Sequence, residues 1–184
     1  TLRDAILADF KISEAGLTPE FALTVDTLKP SAPGITSVAG LECFQNLKVL
    51  RIYHGGEITD LSPLAGLALL EDLELRAHPI TDISPLAGLA ALRFLSLHLC
   101  DVADISPLAG LSQLETLKIA SNPVTSFAPL AGLTKLRELY ADKTKTADLT
   151  GLGSLASLEI LELRTAGVQQ VDELAGLTTL TELQ

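Results

Sequence analysis

Ser-Pro-Leu-Ala-Gly-Leu stands at residues 62–67, 84–89 and 106–111, and a variant, Ala-Pro-Leu-Ala-Gly-Leu, at 128–133. The spacing is 22 residues each time. A fixed period of this length admits few folds. The chain must stack one small unit on the next, and each unit must bury its apolar side against its neighbours. Such an array presents one long surface rather than a pocket, and function is to be sought along it.

The leucines frame the unit. Leu70-x-x-Leu73-x-Leu75 is followed by Ile80, Ile83, Leu86 and Leu89, and the same columns recur from Leu92 to Leu111, Leu114 to Leu133, Leu136 to Leu155 and Leu158 to Leu177. Upstream, Leu47 to Leu67 fits with one extra residue near Gly55-Gly56, and Val25, Leu28, Ile35, Val38 and Leu41 make a degenerate first unit. A last unit opens with Leu180 and Leu183 and stops at Gln184. Leu-x-Leu is a period-two signal: it predicts a short strand with Leu73 and Leu75 on one side and Asp72, Glu74 and Arg76 on the other. The later apolar residues recur every third position, which suits a 3₁₀ or helical turn. Pro63, Pro85, Pro107 and Pro129 start that turn, where proline is tolerated and the preceding serine hydroxyl is expected to cap.

Residues 1–24 do not follow the repeat. Leu2, Ala5, Ile6 and Phe10 have helical spacing, with Asp4 and Asp9 turned away. Gly16 is expected to end that helix, and Thr18-Pro19-Glu20 reads as a fresh helix start. A helical segment with one apolar face, placed before the first strand, covers the end of a stack whose leucines otherwise meet water.

The columns resemble the leucine-rich repeat family in its 22-residue class. Leu2-Arg3-Asp4-Ala5-Ile6, Leu17-Thr18-Pro19-Glu20, Gly34-Ile35-Thr36-Ser37, Gly40-Leu41-Glu42, Asn46-Leu47 and Ile58-Thr59-Asp60-Leu61-Ser62-Pro63-Leu64 resemble the N-terminal cap and first repeats of bacterial internalin-type proteins. The resemblance implies an α/β solenoid: a curved repeat array with a parallel β-sheet on the concave face, short 3₁₀ or helical turns on the convex face, and a helical N-terminal cap. It implies a cap over 1–24 and repeats over 25–184, about seven to eight units with the last truncated. It further implies export to the bacterial surface or beyond, and a protein partner, since known members include adhesins. The family's corner asparagine is present as Asn122 alone; the equivalent positions hold His78, Cys100, Thr144 and Ala166.

Composition narrows the function classes. A formal net charge of −10 argues against nonspecific nucleic-acid binding. No apolar run approaches the ~18 residues of a membrane helix. The chain starts at Thr1 without a signal peptide, read as a trimmed or cloned form. Two cysteines make no disulfide framework; Cys43 and Cys100 lie far apart along the stack and both are expected to be reduced and largely buried. Nothing after Leu177 reads as a cap, so the chain is expected to continue or to pack this edge on another molecule, including a second copy.

Strands ~4.8 Å apart give an inner face on the order of 35 Å long for seven or eight units. Its positions are irregular where the apolar columns are monotonous. Both tyrosines, Tyr53 and Tyr140, fall on it, as does Phe94, in a chain with five Phe and two Tyr. Exposed aromatic and arginine side chains are the usual anchors of a protein interface. The candidate partner-binding residues are Arg51, Tyr53, Arg76, Phe94, His98, Lys118 and Tyr140, with Arg51, Tyr53, Arg76, Phe94 and His98 expected close together on adjacent strands. Phe94 and Tyr140 also suit plain cross-strand packing.

Other patterns carry less. His54, His78 and His98 fall at the ends of consecutive strands, as a metal site would require. The frame separates them, however: His78 turns inward at the corner, His98 points to the inner face, and His54 flanks the Gly55-Gly56 irregularity. Asp60, Asp82, Asp104 and Asp148 form a column interrupted by Ser126; an acidic ridge for cations is one reading, but aspartate at the bend before the turn is better explained by accepting backbone N–H bonds. No phosphate-cradling glycine loop and no Gly-x-Ser-x-Gly occurs, so no enzyme, cofactor or metal is expected. The expected function is protein recognition through the strand face. The alternatives are a spacer holding other domains away from the cell wall, or an intracellular scaffold similar to the phosphatase-regulating branch of the repeat class.

Overall fold

The computed structural model describes residues 1–53, 55–168 and 171–184. Two short helices come first, α1 (Leu2–Phe10) and α2 (Pro19–Ala22). Thr1 caps α1 reciprocally with Asp4, each satisfying the other's backbone N–H. Leu2, Ala5 and Ile6 are buried, as the spacing predicts, but Phe10, expected on the same face, is 38% exposed and packs edge-on against Phe21. Gly16 does not end this helix. Lys11 does, in a left-handed conformation at φ 54°, and its N–H reaches the carbonyls of Leu7 and Ala8. Gly16 closes a separate 3₁₀ turn, Glu14–Gly16. Thr18 caps α2 by accepting from the Phe21 N–H at 3.2 Å.

Eight strands then form one parallel sheet in chain order: β1 (Thr27–Leu28), β2 (Val49–Ile52), β3 (Asp72–Leu75), β4 (Phe94–Ser96), β5 (Thr116–Lys118), β6 (Glu138–Tyr140), β7 (Ile160–Glu162) and β8 (Glu182–Leu183). Leucine stacks on leucine: Leu50, Leu73, Leu95, Leu117, Leu139 and Leu161 pair in register and are each 0% exposed. Every step advances 22 residues except β2 to β3, where Val49 pairs with Asp72, 23 residues on. The extra residue falls at Gly55-Gly56, where a side chain on Gly56 would collide with the Ile35 carbonyl.

The convex side carries 3₁₀ turns, among them Ser62–Leu64, Ser84–Leu86, Ser106–Gly110 and Ala128–Leu130. The serine hydroxyl does not cap them, because serine is already inside the turn. The aspartate two residues earlier takes that role. Asp60, Asp82 and Asp104 accept the backbone N–H of Ser62, Ser84 and Ser106 at 2.8 Å, and Asp148 does the same for Thr150. Ser126 substitutes in the fourth unit, accepting from Ala128 N–H at 3.2 Å.

Where strand gives way to loop, Ala77, Leu99, Ser121, Lys143 and Thr165 all adopt φ between 56° and 58°. A chain turning this tightly needs a left-handed residue at the corner, and none of these is glycine. The next residue braces the corner from inside. Asn122 donates to the carbonyls of Leu97, Ile119 and Ala120 at 2.7, 2.9 and 3.3 Å and accepts from Val102 N–H at 3.0 Å. The substitutes do less. Thr144 donates once, to Ala141 at 2.9 Å, and Cys100 reaches the Leu75 carbonyl at 3.5 Å. His78 accepts from Gly56 N–H at 3.2 Å through Nδ1, so its proton sits on Nε2, which is buried without a partner. Cys100 is buried as expected; Cys43 is exposed, because it lies on the outer side of the Leu41–Cys43 turn while Leu41 points in.

Candidate functional site

Residues that alternate with the core leucines stand on the opposite side of the sheet, where parallel register lines them up in rows across the strands. Val49, Asp72, Phe94, Thr116, Glu138, Ile160 and Glu182 make one row; Arg51, Glu74, Ser96, Lys118, Tyr140 and Glu162 make the next. The seven candidate residues all stand on this face or at the strand ends that border it.

Five of them draw together in two groups that share Phe94. The Arg51 guanidinium is bound by the Asp72 carboxylate on the neighbouring strand through Nε at 2.9 Å and also through Nη2. Its Nη1 donates to the Tyr53 hydroxyl at 3.4 Å, and its carbon centre lies 5.3 Å from the Phe94 ring. One arginine thus fixes an acid and two aromatics across β2, β3 and β4. The Lys118 ammonium lies 4.6 Å from the Tyr140 ring and 5.7 Å from the Phe94 ring, so Phe94 carries a cation on either side. Phe94 and Tyr140 are half-buried by these neighbours, the cross-strand packing the sequence allows, while Tyr53 is 44% exposed. The Tyr140 hydroxyl donates to Glu138 at 3.3 Å. Burial first, then the nearby carboxylates Glu138, Glu162 and Glu182, hold its pKa above the ordinary phenol value.

Arg76 and His98 stand farther along, at the C-terminal ends of β3 and β4. There the face sinks. Ser96 and Ala120, which alternate with the core residues, are buried at 2% and 8% exposure and form the floor of a notch of about 290 Å³. Arg76, His98, Lys118, Tyr140 and Asp142 border it. The notch was not legible in the repeat frame, because the frame assigns a side chain to a face but not a depth. Small residues at diagonal positions on adjacent strands, Ser96 on β4 and Ala120 just past β5, were the signal.

The opposite rim alternates in charge: Lys48, Glu71, Arg93, Glu115, Arg137 and Glu159 precede successive strands. Arg93 pairs with Glu115 and Arg137 with Glu159, each at 2.8 Å. These exposed pairs fix register more than they stabilise, at about 0–1 kcal/mol each.

Of the three histidines, His54 lies outside the described residues. His78 is 1% exposed in the corner, and His98 stands on the face. Among the described residues no three His, Cys, Asp or Glu side chains converge as metal ligands. Nor, among them, is any helix long and apolar enough to cross a membrane.

No protein-family profile matches the chain, and no curated protein sequence does. Solved structures do. The chain superposes on an internalin (InlF) from Listeria monocytogenes with a TM-score of 0.93 at 32% identity, over 99% of this chain and 54% of that one. It is 33% identical to internalin C2 from Listeria monocytogenes, with a TM-score of 0.76, over 100% of this chain and 91% of that one. The chain therefore spans about half the length of the first relative and nearly all of the second. The ectodomain of the plant receptor kinase GASSHO1/SCHENGEN3 from Arabidopsis thaliana shares the fold, with a TM-score of 0.75 at 22% identity, over 86% of this chain and 21% of that one.

Proposed function

The chain belongs to the internalin family of leucine-rich repeat proteins, and on that premise we propose that its concave strand face recognises a protein partner, as part of a bacterial surface or secreted protein. One observation carries the reading: Arg51, Asp72, Tyr53, Phe94, Lys118 and Tyr140 form a continuous chain of ion-pair and cation–aromatic contacts across five strands. Interface anchors are aromatic and arginine side chains held in one rotamer before the partner arrives, because ordering them beforehand removes an entropic cost of binding. Here the arginine and both half-buried rings are already held. The plant receptor ectodomain of the same fold was solved in complex with Casparian strip integrity factor 2, which is consistent with an array that presents a partner surface. The division into a cap over 1–24 and repeats over 25–184 belongs to the same proposal, with the cap serving stability and the repeats recognition. So does the absence of catalysis: the face is an open sheet with a shallow notch, whereas enzymes enclose their substrates.

The test is a comparison of the chain with a Tyr53→Ala, Phe94→Ala, Tyr140→Ala triple variant for binding to cultured epithelial cells, with melting temperature measured alongside. Recognition predicts loss of cell binding by tenfold or more, on the order of one anchor residue's worth, with folding intact. A spacer would bind no cell in either form.

A further inference from the structure

We propose that the C-terminal part of the strand face, centred on Ile160, receives a basic segment of the partner: one Lys or Arg side chain lays its stem on Ile160 and its charge among Glu138, Glu162 and Glu182. The inference rests on the reading of the strand face as a partner surface and gives that partner its chemistry.

The rim shows how this fold settles charge when only folding is at stake. Lys48, Glu71, Arg93, Glu115, Arg137 and Glu159 alternate in sign, and Arg93 with Glu115 and Arg137 with Glu159 close as ion pairs. The strand face does not alternate. On β2 to β5 and at their ends it carries Arg51, Arg76 and Lys118 against Asp72 and Glu74. On β6 to β8 and at their ends it carries Glu138, Asp142, Glu162 and Glu182 against Arg164 alone. Asp142 is engaged, accepting the Arg164 backbone N–H at 2.6 Å. Glu138, Glu162 and Glu182 make no ion pair among the described residues. The hydrogen bonds they accept come from neutral groups. Glu138 accepts from the hydroxyls of Thr116 at 3.4 Å and Tyr140 at 3.3 Å, and Glu182 accepts from the Gln184 amide. Such bonds order a carboxylate without cancelling its charge.

Register places the three carboxylates around one apolar side chain. Glu138 and Glu182 pair with Ile160 from either side, and Glu162 lies two residues on along β7, on the same side of the sheet and paired with Tyr140. Adjacent strands are about 4.8 Å apart, so each carboxylate reaches a single cation held above Ile160. Ile160 is only half-buried, on the open side of the sheet. Lys and Arg carry an apolar stem and a charged head, and this surface matches both. Tyr140 senses the same field: burial first, then Glu138, then Glu162 and Glu182, hold its phenol above the ordinary value. Like charges on neighbouring strands repel one another in the free chain, and a cation relieves that repulsion. The adjoining notch sets Glu74, Asp142 and Glu162 against Arg76 and Lys118, a mixture of signs, so the centre falls on Ile160 and not there. The net charge of −10 steers a basic partner toward the molecule, and the gathering of acids on β6 to β8 decides where it lands.

The probe is the peptide acetyl-Gly-Lys-Ala-Lys-Gly-amide, titrated into the isotope-labelled chain by NMR beside counterparts with glutamate or norleucine in place of lysine. The lysine peptide is expected to shift the Ile160 methyl signals and the amides of Glu138, Glu162 and Glu182 with a dissociation constant of about 1 mM. Its affinity should fall as salt rises from about 50 to about 300 mM. Glu138→Gln and Glu162→Gln should each weaken it about threefold, and Ile160→Thr by a similar factor through the lost platform for the stem. Glu115→Gln removes an acid that Arg93 already holds and should leave the affinity unchanged. An equal response to the norleucine peptide, a stronger one to the glutamate peptide, an equal loss in Glu115→Gln, or shifts confined to other parts of the face would overturn the basic seat. So would calcium chloride that saturates the same signals and displaces the peptide at equal concentration, which would assign the acids to a divalent cation. Each of these results leaves recognition by Tyr53, Phe94 and Tyr140 standing. Intact cell binding by the aromatic triple variant would instead overturn the face reading, whatever the peptide does.

Discussion

Asn122 and His78 occupy the same corner of two different repeats and show what one side chain can do there. The amide has two donors and an acceptor, and all are used on backbone groups of its own and the preceding unit. Removing it strands buried carbonyls and an N–H, so Asn122→Ala is expected to cost about 3 kcal/mol, against about 1 for Thr144→Ala, which loses one bond. Paired urea melts of the two variants check the ratio. His78 is the weak corner. Its imidazole is kept neutral by burial, so its folded pKa lies below the ordinary value. A histidine that resists protonation in the native state but accepts a proton when unfolded makes stability fall as pH drops below about 6.5. Melting temperature should therefore decline from pH 7.5 to pH 5, and His78→Asn should flatten most of that decline by restoring the amide. His98, also held below its ordinary value, accounts for the slope that remains.

At the scale of the element, the 3₁₀ turn depends on an aspartate placed before it. Asp60, Asp82 and Asp104 are held below the usual carboxylate range by the backbone N–H of Ser62, Ser84 and Ser106, and Asp148 by the Thr150 hydroxyl and N–H. A carboxylate with a depressed folded pKa stabilises above its unfolded value and loses that contribution as pH falls below about 4. Asp104→Ala should lower the melting temperature at pH 7 and lessen the acid sensitivity. Asp104→Ser should recover most of the loss, as Ser126 does naturally in the fourth unit. Circular dichroism melts at pH 7 and pH 3 for the three proteins decide this. A tie to backbone leaves these acids little capacity for a shared cation, which favours the turn-forming role over the ridge.

For the molecule as a whole, each repeat buries its leucines only against its neighbours, so stability is a sum of interfaces along one axis. Leu117 sits in the middle, 0% exposed between Leu95 and Leu139. Leu117→Ala is expected to cost about 2–5 kcal/mol. If the array unfolds as one unit, the denaturant slope stays unchanged; a shallower slope would show the two halves parting. The register of the whole sheet, the odd step at Gly55-Gly56, the buried columns and most of the cap face were readable from the chain, because a repeat places the same residue type at the same depth in successive units; the exceptions are at the ends, where Phe10, Val171 and Leu183 are exposed. The end of α1, the exposure of Cys43 and the failure of the serine hydroxyl to cap the turns were not readable. Each depends on which way a backbone turns over one or two residues, and periodicity is silent at that length. The face followed the same division. Alternation with the leucines dictates that Arg51, Phe94, Lys118 and Tyr140 share a surface. That Arg51 is held by Asp72, that Arg76 and Lys118 make no ion pair among the described residues, and that the surface dips over Ser96 and Ala120 came from neighbours brought together across strands, about one repeat apart in the chain and one strand spacing apart in space.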